Sequence, residues 1–201
     1  MADPAKHPDL HGNVPDQCPV ALLIVDVVNA LRFEGSEAFA RRATVAGRRI
    51  RDLKRRVKSE GIPTIYVNDN AGRWRSDFRQ VVEDCCRDDA PGKELTRMLV
   101  PDPDDYVVLK PKHSGFYATT LDTLLTYLRT RRVIITGMTI ERCLLFTAND
   151  AFLRDYELFV PKDCTAAVDP EDERPALQIM ERVLGADTRA SAELDLSRLK
   201  Q

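Results

Sequence analysis

Reactive side chains follow several apolar segments of strand length in this sequence of 201 residues. Asp26 ends the first of these segments, Lys110 ends the third, and Cys143 follows the fourth at the start of a predicted helix. A cysteine thiolate is a strong nucleophile, and the dipole at a helix N-terminus lowers the thiol pKa. A nearby carboxylate can take the thiol proton and later deliver it to a leaving amine, while a lysine ammonium stabilises both anions. Backbone N–H groups in the turn before Cys143 could line an oxyanion hole for such a reaction.

Each of these residue types also has a common structural role, so none of them alone identifies a site. An aspartate at the end of a strand often caps a helix, and a lysine there is commonly a solvated charge. A single cysteine in a helix is commonly a small core residue. Whether the three side chains act together therefore depends on where the fold places them.

Apolar segments of strand length alternate along the chain with segments of helical periodicity. The first strand is predicted at Val20–Val25, a continuous apolar run that is typical of a strand buried on both faces. Further strands are predicted at 62–68, 106–109, 133–136 and 158–160, with a short last strand near 188–190. Helices are predicted at 36–60, 73–84, 119–128, 141–153 and 170–184. Strands separated by helices require crossover connections, so we predict a mainly parallel sheet that helices cover on both faces.

This alternation also predicts where a ligand binds. In open parallel sheets, ligands bind at the carboxyl ends of the strands. Asp26, Lys110 and Cys143 all follow such ends, so one acid, one amine and one thiol can converge at one edge of the sheet.

The composition is that of an ordinary globular chain and argues against two classes of partner. The sequence has 30 Lys+Arg and 32 Asp+Glu, and a net charge of −2 is unlike the basic excess of nucleic-acid-binding proteins. No apolar run approaches the ~20 residues that cross a bilayer, so no membrane partner is expected. The five cysteines, an odd number, favour free thiols in a reducing compartment, and we expect a cytoplasmic protein.

The chain divides into an arm and a single domain. Residues 1–17 are polar, contain three prolines and lack the pattern of a secretory signal, so we predict a flexible N-terminal arm. Residues 18–201 have the length of one domain, and we predict that they form a single domain.

Three ordered blocks of the sequence resemble the isochorismatase-like cysteine hydrolases. The first is ALLIVDVVN at 21–29, an apolar strand that ends in Asp with an Asn three positions later. The second is VVLKPKHSGF at 107–116, in which a Lys precedes Ser, a small residue and Phe. The third is VIITGMTIERC at 133–143, a glycine turn with the cysteine, followed by TANDA at 147–151. Together the blocks span most of the chain.

The resemblance implies a fold, a set of catalytic residues and an assembly. The fold would be an α/β, Rossmann-like three-layer α/β/α sandwich with about six strands. Asp26 would be the general base, Lys110 the electrostatic partner and Cys143 the nucleophile. The peptide bond between Met138 and Thr139 would be cis, with the N–H groups of Thr139 and Cys143 forming the oxyanion hole. Residues 18–201 would be a single isochorismatase-like hydrolase domain. The protein would be a homo-oligomer, a dimer or a tetramer, that cleaves a C–N bond of a small amide or carbamoyl compound through a thioester.

Substrate contacts are expected from four residues around this site: Asn29, Trp74, Phe116 and Tyr117. For Phe116 and Tyr117 the alternative is packing in the core, because the apolar cover of the sheet needs large side chains. The chain departs from the family pattern at Val28 and Ala30, where other members often have Gln and Asp. Nicotinamidase members bind a metal through an Asp and two His near the second strand, but the stretch 67–74 has no histidine. We therefore predict no catalytic metal and no cofactor.

Two other interpretations are compatible with the same residues. One is a non-catalytic isochorismatase-fold protein that binds a small molecule, although a complete set of Asp, Lys and Cys favours an enzyme. The other is a thiol-based redox protein that uses Cys143 and Cys164, although no CxxC spacing supports it. The favoured interpretation is a cysteine hydrolase whose partner is a small-molecule substrate.

Overall fold

The computed structural model describes residues 17–70 and 77–201 of the chain. Within these residues, six strands form one sheet: β1 (Val20–Val25), β2 (Thr64–Asp69), β3 (Tyr106–Lys110), β4 (Arg132–Met138), β5 (Glu157–Phe159) and β6 (Thr165–Ala166). The order across the sheet is β3-β2-β1-β4-β5, and the short β6 pairs with the carboxyl end of β4. Every strand pair described is parallel, which confirms the predicted mainly parallel sheet.

Helices connect the strands. Those described are α1 (Ser36–Ser59), α2 (Phe78–Cys85), α3 (Lys93–Met98), α4 (Leu121–Tyr127), α5 (Leu145–Phe152), α6 (Pro170–Arg182) and α7 (Leu196–Leu199). A π-helical turn, Ile140–Leu144, leads directly into α5, and short 3₁₀ turns lie at Lys162–Cys164 and Ser191–Glu193. None of the helices in the described part of the chain has the length and apolar composition to cross a membrane.

Alternate residues of the central strand β1 pack into two separate apolar cores. Val20, Leu22 and Ile24 belong to the core beneath α1, whereas Ala21, Leu23 and Val25 belong to the core that contains residues of α4, α5 and α6. Burial of a strand on both faces is what a continuous apolar run predicts, because each face must be covered by a helix layer. The three-layer α/β/α architecture is therefore confirmed.

The predicted last strand is wrong. At 188–190 the structure has no strand, and only an isolated parallel bridge joins Phe159 to Asp187. The sixth strand is instead Thr165–Ala166, which pairs with Gly137 and Met138. The 3₁₀ turn before β6 brings the chain beside the carboxyl end of β4 while it keeps the same direction, and apolar periodicity does not report such a turn.

The helix boundaries also differ in part from the predictions. The predicted helix at 141–153 is a π-helical turn followed by the regular helix α5. Helices α3 and α7 were not predicted, since each has at most six residues and shows little periodicity. The start of the predicted helix at 73–84, and all but the last residue of the predicted arm at 1–17, lie outside the described residues.

Candidate active site

The carboxyl ends of the adjacent strands β1, β2 and β3 bring two of the predicted side chains together. Asp26 follows β1, and its backbone N–H donates to the carbonyl of Val67 in β2 at 3.0 Å. Lys110 is the last residue of β3 and is in register with Asp69 of β2. Asp26 has a left-handed backbone conformation with φ of 52°, which aspartate tolerates better than most residues. At this residue the chain turns away from the sheet.

The Lys110 ammonium joins the Asp26 carboxylate to the Cys143 thiol. Lys110 Nζ lies 2.6 Å from Asp26 Oδ2 and 3.4 Å from Cys143 Sγ. The Asp26 carboxylate and the Cys143 thiol also lie close enough to shift each other's pKa. Lys110 has no solvent exposure, so these contacts are formed out of bulk water, where electrostatic interactions are stronger. The three residues singled out by the sequence thus form one contiguous cluster.

Backbone groups complete the hydrogen bonding of this cluster. The third hydrogen bond of Lys110 Nζ goes to the carbonyl of Lys112 at 3.1 Å. The second carboxylate oxygen of Asp26 accepts from the backbone N–H of Asp69 at 2.6 Å. The ammonium and the carboxylate are therefore both held in position by groups that do not depend on a ligand.

Burial and charge shift the pKa values of all three groups. Burial raises the pKa of Asp26, with Lys110 as the largest opposing influence. Burial is the largest single influence on Lys110 and acts to lower its pKa, but Asp26, Cys143 and Asp69 together outweigh burial and hold that pKa above its usual value. Burial and the nearby Asp26 carboxylate raise the pKa of Cys143 to about 12. The expectation of a lowered thiol pKa is therefore wrong for the free site, because burial and Asp26 outweigh the Lys110 charge that favours the thiolate.

The turn that presents Cys143 leaves a backbone donor available beside the thiol. The Met138–Thr139 peptide bond is cis, as the family resemblance implies. The Thr139 carbonyl accepts from the N–H groups of Arg142 and Leu144, both at 3.2 Å. In a regular α-helix the Cys143 N–H would donate to the Thr139 carbonyl. Among the described hydrogen bonds it does not, because in this π-helical turn the Leu144 N–H donates to that carbonyl instead. This N–H can therefore bind an oxyanion at the thiol.

A cleft of about 670 Å³ opens over these residues, within the size range of small-molecule sites. Its lining includes Asp26, Asn29, Thr139 and Cys143 from the predicted site. It also includes aromatic side chains, Phe33 and Phe39, and charged or titratable side chains, Arg32, Asp69, Asp84, His113 and Arg142. A small polar molecule with an apolar part could therefore lie with a carbonyl group near the thiol.

The predicted substrate-binding residues are only partly in this cleft. Asn29 lines it, and its side chain accepts a hydrogen bond from the Leu31 N–H at 2.8 Å. Phe116 and Tyr117 are not among the described residues that line it. Phe116 packs in the core against Tyr156, where it fills the space between β-sheet and helices, and Tyr117 is 59% exposed on the surface. Trp74 lies outside the described residues.

The structure also assigns positions to residues that sequence reasoning left without a role. The Asn68 side chain accepts from the Val28 N–H at 3.1 Å and donates to the Val28 carbonyl at 3.0 Å, which holds the loop after Asp26. Its place at the end of β2 was the available signal. His113 lies with Nδ1 at 3.8 Å from Cys143 Sγ, and its place between Lys110 and the Ser-Gly-Phe sequence gave no indication of this contact.

One group of side chains in the described residues has the spacing of a metal site, and it lies outside the cleft lining. Asp102, Asp104 and Asp105 hold carboxylate oxygens close together in the loop before β3. Their charges are paired with Lys54 and Lys58, at distances of 2.5 to 3.2 Å. These ion pairs are sufficient to explain the cluster.

Comparisons with known proteins agree with this fold. The family model described as the Isochorismatase domain matches residues 20–192. The uncharacterized isochorismatase family protein YaaI of Bacillus subtilis (strain 168) is 40% identical over 174 residues, which cover 87% of this chain and 95% of that protein. Ureidoacrylate amidohydrolase RutB of Enterobacter sp. (strain 638) is 40% identical over 78 residues, which cover 39% of this chain and 34% of that protein.

A solved structure gives the same result for the fold. N-carbamoylsarcosine amidase from Thermoplasma acidophilum superposes with a TM-score of 0.67 at 29% identity, covering 88% of this chain and 98% of that one. The family model spans most of the sheet and helices described above, and the relative YaaI matches over nearly its whole length. The chain therefore belongs to the isochorismatase family of hydrolases.

Proposed function

We propose that this protein is a cysteine hydrolase that cleaves the C–N bond of a small amide or carbamoyl compound through a thioester intermediate. The observation that supports this most directly is the buried Lys110 ammonium, 2.6 Å from Asp26 and 3.4 Å from Cys143, beneath the cleft. Two similar proteins, N-carbamoylsarcosine amidase and ureidoacrylate amidohydrolase, are named for hydrolysis of this kind of bond.

In the proposed first step, Asp26 takes the proton of the Cys143 thiol as Sγ attacks the substrate carbonyl carbon. A C–S bond forms, and the carbonyl oxygen becomes an oxyanion that accepts hydrogen bonds from the N–H groups of Thr139 and Cys143. Lys110 remains charged throughout and stabilises the sulfur and carboxylate anions as the proton moves. The raised pKa of Cys143 fits this order, since the thiol keeps its proton until a substrate is present.

In the proposed second step the C–N bond breaks, and Asp26 delivers its proton to the departing nitrogen as ammonia or an amine leaves. The remaining acyl group is bonded to Cys143 Sγ as a thioester. A water molecule then gives a proton to Asp26 while its oxygen attacks the thioester carbonyl. The C–S bond breaks, the sulfur takes the proton back from Asp26, and the acid is released. One carboxylate therefore acts alternately as base and acid, and each proton is accounted for.

The burial of the cluster explains why Asp26 suits this role. A carboxylate whose pKa is raised toward neutrality both accepts and returns a proton more readily than an exposed one. Burial raises the pKa of Asp26, while the Lys110 charge keeps the ionised form accessible. The same burial strengthens the attraction of Lys110 for each anion that forms during the reaction.

The proposed function is tested by a screen of small primary amides, carbamoyl compounds and ureido acids for ammonia release. We expect turnover by the wild-type protein and none by Cys143→Ala, which removes one sulfur atom. Cys86→Ser is the matched control, because Cys86 is a free, partly exposed cysteine outside the cleft lining, and this variant should turn over like the wild type. Turnover by Cys143→Ala would contradict the assignment of the nucleophile.

Iodoacetamide labelling separates the hydrolase from a non-catalytic binding protein. In the hydrolase, we expect Cys143 to be alkylated and the modified protein to lose its amide turnover. If no compound in the screen were turned over, while small amides or acids still bound in the cleft, the protein would be a binding protein that retains the fold.

We further propose that the protein forms a homo-oligomer. Several large apolar side chains are exposed on α5, α6 and the residues that follow them: Phe146, Phe152, Leu153, Ile179 and Val183. Burial of such residues against a second subunit removes apolar surface from water and favours association. Sedimentation analysis tests this: a single species of 22.7 kDa at micromolar concentration would contradict it.

A further inference from the structure

His113 lies beside the Cys143 thiol and lines the same cleft. Its Nδ1 atom is 3.8 Å from Cys143 Sγ, which is within reach of a hydrogen bond to sulfur. The cycle proposed above gives this side chain no part, although it is a titratable group in contact with the reacting atom.

The turn that contains His113 is anchored on both sides. The Lys112 carbonyl accepts a hydrogen bond from Lys110 Nζ, which ties the start of the turn to the buried cluster. After His113, the Ser114 hydroxyl hydrogen-bonds the Asp150 carboxylate, and the Gly115 N–H donates to the Thr147 hydroxyl at 3.0 Å. Both of these partners belong to α5, so the turn cannot shift away from the helix that follows Cys143.

The imidazole ring is also held by packing. It lies against the Phe146 ring with the ring centroids 5.7 Å apart. Both rings are exposed, so this contact and the anchored backbone lower the entropic cost of presenting Nδ1 to the sulfur without removing it.

Lys110 divides its hydrogen bonds among three acceptors, so the Cys143 sulfur receives only one of them. An ammonium group has three N–H donors. In Lys110 they face Asp26, the Lys112 carbonyl and Cys143, and the bond to sulfur is the longest of the three at 3.4 Å. The same ammonium also holds the Asp26 carboxylate, so a second donor at the sulfur would add to the stabilisation of the thiolate.

The groups that face the sulfur come from four elements. They are Asp26 after β1, Lys110 at the end of β3, His113 in the turn that follows, and the backbone of the π-helical turn that carries Cys143 itself. Arg142 precedes Cys143 and lines the cleft, and its guanidinium lies 3.9 Å from the Glu141 carboxylate. Of these side chains, Lys110 donates to Sγ at 3.4 Å and His113 Nδ1 lies 3.8 Å from it.

We propose that His113 is a fourth catalytic residue, whose Nδ1–H donates a hydrogen bond to the Cys143 sulfur and stabilises the thiolate that forms when Asp26 takes the thiol proton. The Nδ1–H tautomer leaves Nε2 for solvent or substrate in the cleft. The inference rests on the proposed role of Cys143 as nucleophile, but its test uses the reactivity of the thiol and does not require turnover.

Two variants separate the hydrogen bond from the ring packing. His113→Phe keeps an aromatic ring against Phe146 and removes the donor. His113→Asn removes the ring and places an amide N–H close to the position of Nδ1. The measurement is the rate at which iodoacetamide alkylates Cys143, followed by mass spectrometry in the free protein across the neutral and alkaline pH range.

We expect His113→Phe to raise the apparent pKa of Cys143 by about one unit, since a hydrogen bond to a charged group has about this effect on an equilibrium. At a pH below this pKa, the fraction of Cys143 present as thiolate then falls about tenfold. A more basic thiolate is also more nucleophilic, which offsets part of this loss, so the alkylation rate should fall about threefold. His113→Asn should retain most of the wild-type rate. Cys86→Ser, outside the cleft lining, is the control and should leave the rate at Cys143 unchanged.

Each outcome decides for or against the proposal. If His113→Phe behaved like the wild type and His113→Asn were slow, the ring packing alone would matter and the proposal would be wrong. Wild-type rates in both variants would also overturn it, and the hydrolase proposed above would still stand. Failure of iodoacetamide to react with Cys143 in the wild type would overturn both assignments together. Circular dichroism shows which variants are folded. His113→Ala, which also lacks the donor, replaces His113→Phe if that variant is unfolded, and His113→Gln, which also carries an amide N–H, replaces His113→Asn.

Discussion

Replacement of the buried Lys110 by Met tests the electrostatic arrangement of the site in the folded protein. The substitution keeps much of the side-chain volume and removes an ammonium that has no solvent exposure and lies 2.6 Å from Asp26. Removal of one partner from a buried ion pair leaves an uncompensated charge and costs about 3–5 kcal/mol. In a protein of this size, each 1 kcal/mol lowers Tm by about 2–4 °C, so we expect a loss of roughly 6–20 °C at neutral pH.

The expected loss depends on pH in a direction set by Asp26. Burial raises the pKa of this carboxyl, and Lys110 is the largest influence that opposes the rise. Without Lys110 the folded-state pKa rises further above the unfolded value of about 3.9. Between these two values, Asp26 is protonated in the folded variant and ionised in the unfolded chain. The contribution of this proton to the free energy of unfolding is therefore fully present below the unfolded-state pKa of Asp26 and is lost as the pH rises through its folded-state pKa. The difference from the wild type should therefore shrink as the pH falls from 7 toward about 4.

Thermal unfolding followed by circular dichroism, across this pH range, provides the measurement. Asp26→Asn combined with Lys110→Met removes both charges, so the double variant should recover a large part of the stability lost in Lys110→Met. Lys58→Met is the matched control, because Lys58 is half-exposed and pairs with Asp102 and Asp104. An exposed ion pair contributes about 0–1 kcal/mol, so this variant should unfold at nearly the wild-type temperature. A loss in Lys110→Met that did not change with pH, or that the second substitution did not reduce, would refute the reasoning.

Three further predictions concern rate and stability at the same strand ends. Asp26→Asn should keep the shape of the site and lose the proton acceptor, which lowers turnover by about 10²–10⁴-fold in a steady-state ammonia assay; near-normal turnover would exclude a general-base role. Asn68→Ala removes two buried hydrogen bonds to Val28 and should cost about 2–4 kcal/mol in urea unfolding, and an unchanged midpoint would show that the loop is held by other contacts. Gly137→Ala should lower the free energy of unfolding by more than about 4 kcal/mol, because the added Cβ would lie 1.9 Å from a backbone carbonyl oxygen of β1. Gly61→Ala is the control, since Gly61 has open space around it, and should cost only about 1–2 kcal/mol. Equal losses in urea unfolding would refute the steric argument.

The sequence alone determined the layered architecture and the convergence of Asp26, Lys110 and Cys143. The run Val20–Val25 is fully buried, and its uninterrupted apolar character already required cover on both faces of the sheet. Strands joined through helices run parallel, so residues that follow those strands meet at one edge. These features repeat over many residues, and burial of apolar surface enforces them wherever the chain folds.

Only the tertiary structure decided the positions of His113, Phe116 and β6, and the direction in which the Cys143 pKa moves. The sequence Ser114-Gly115-Phe116 fits a core or a pocket equally well, and the anchors on Asp150 and Thr147 turn Phe116 inward and His113 toward the sulfur. The two residues of β6 become a strand only because a preceding turn places them beside β4. The thiol pKa depends on burial and on a carboxylate distant in sequence. Such features arise from contacts between segments far apart in the chain, and local periodicity contains no record of those contacts.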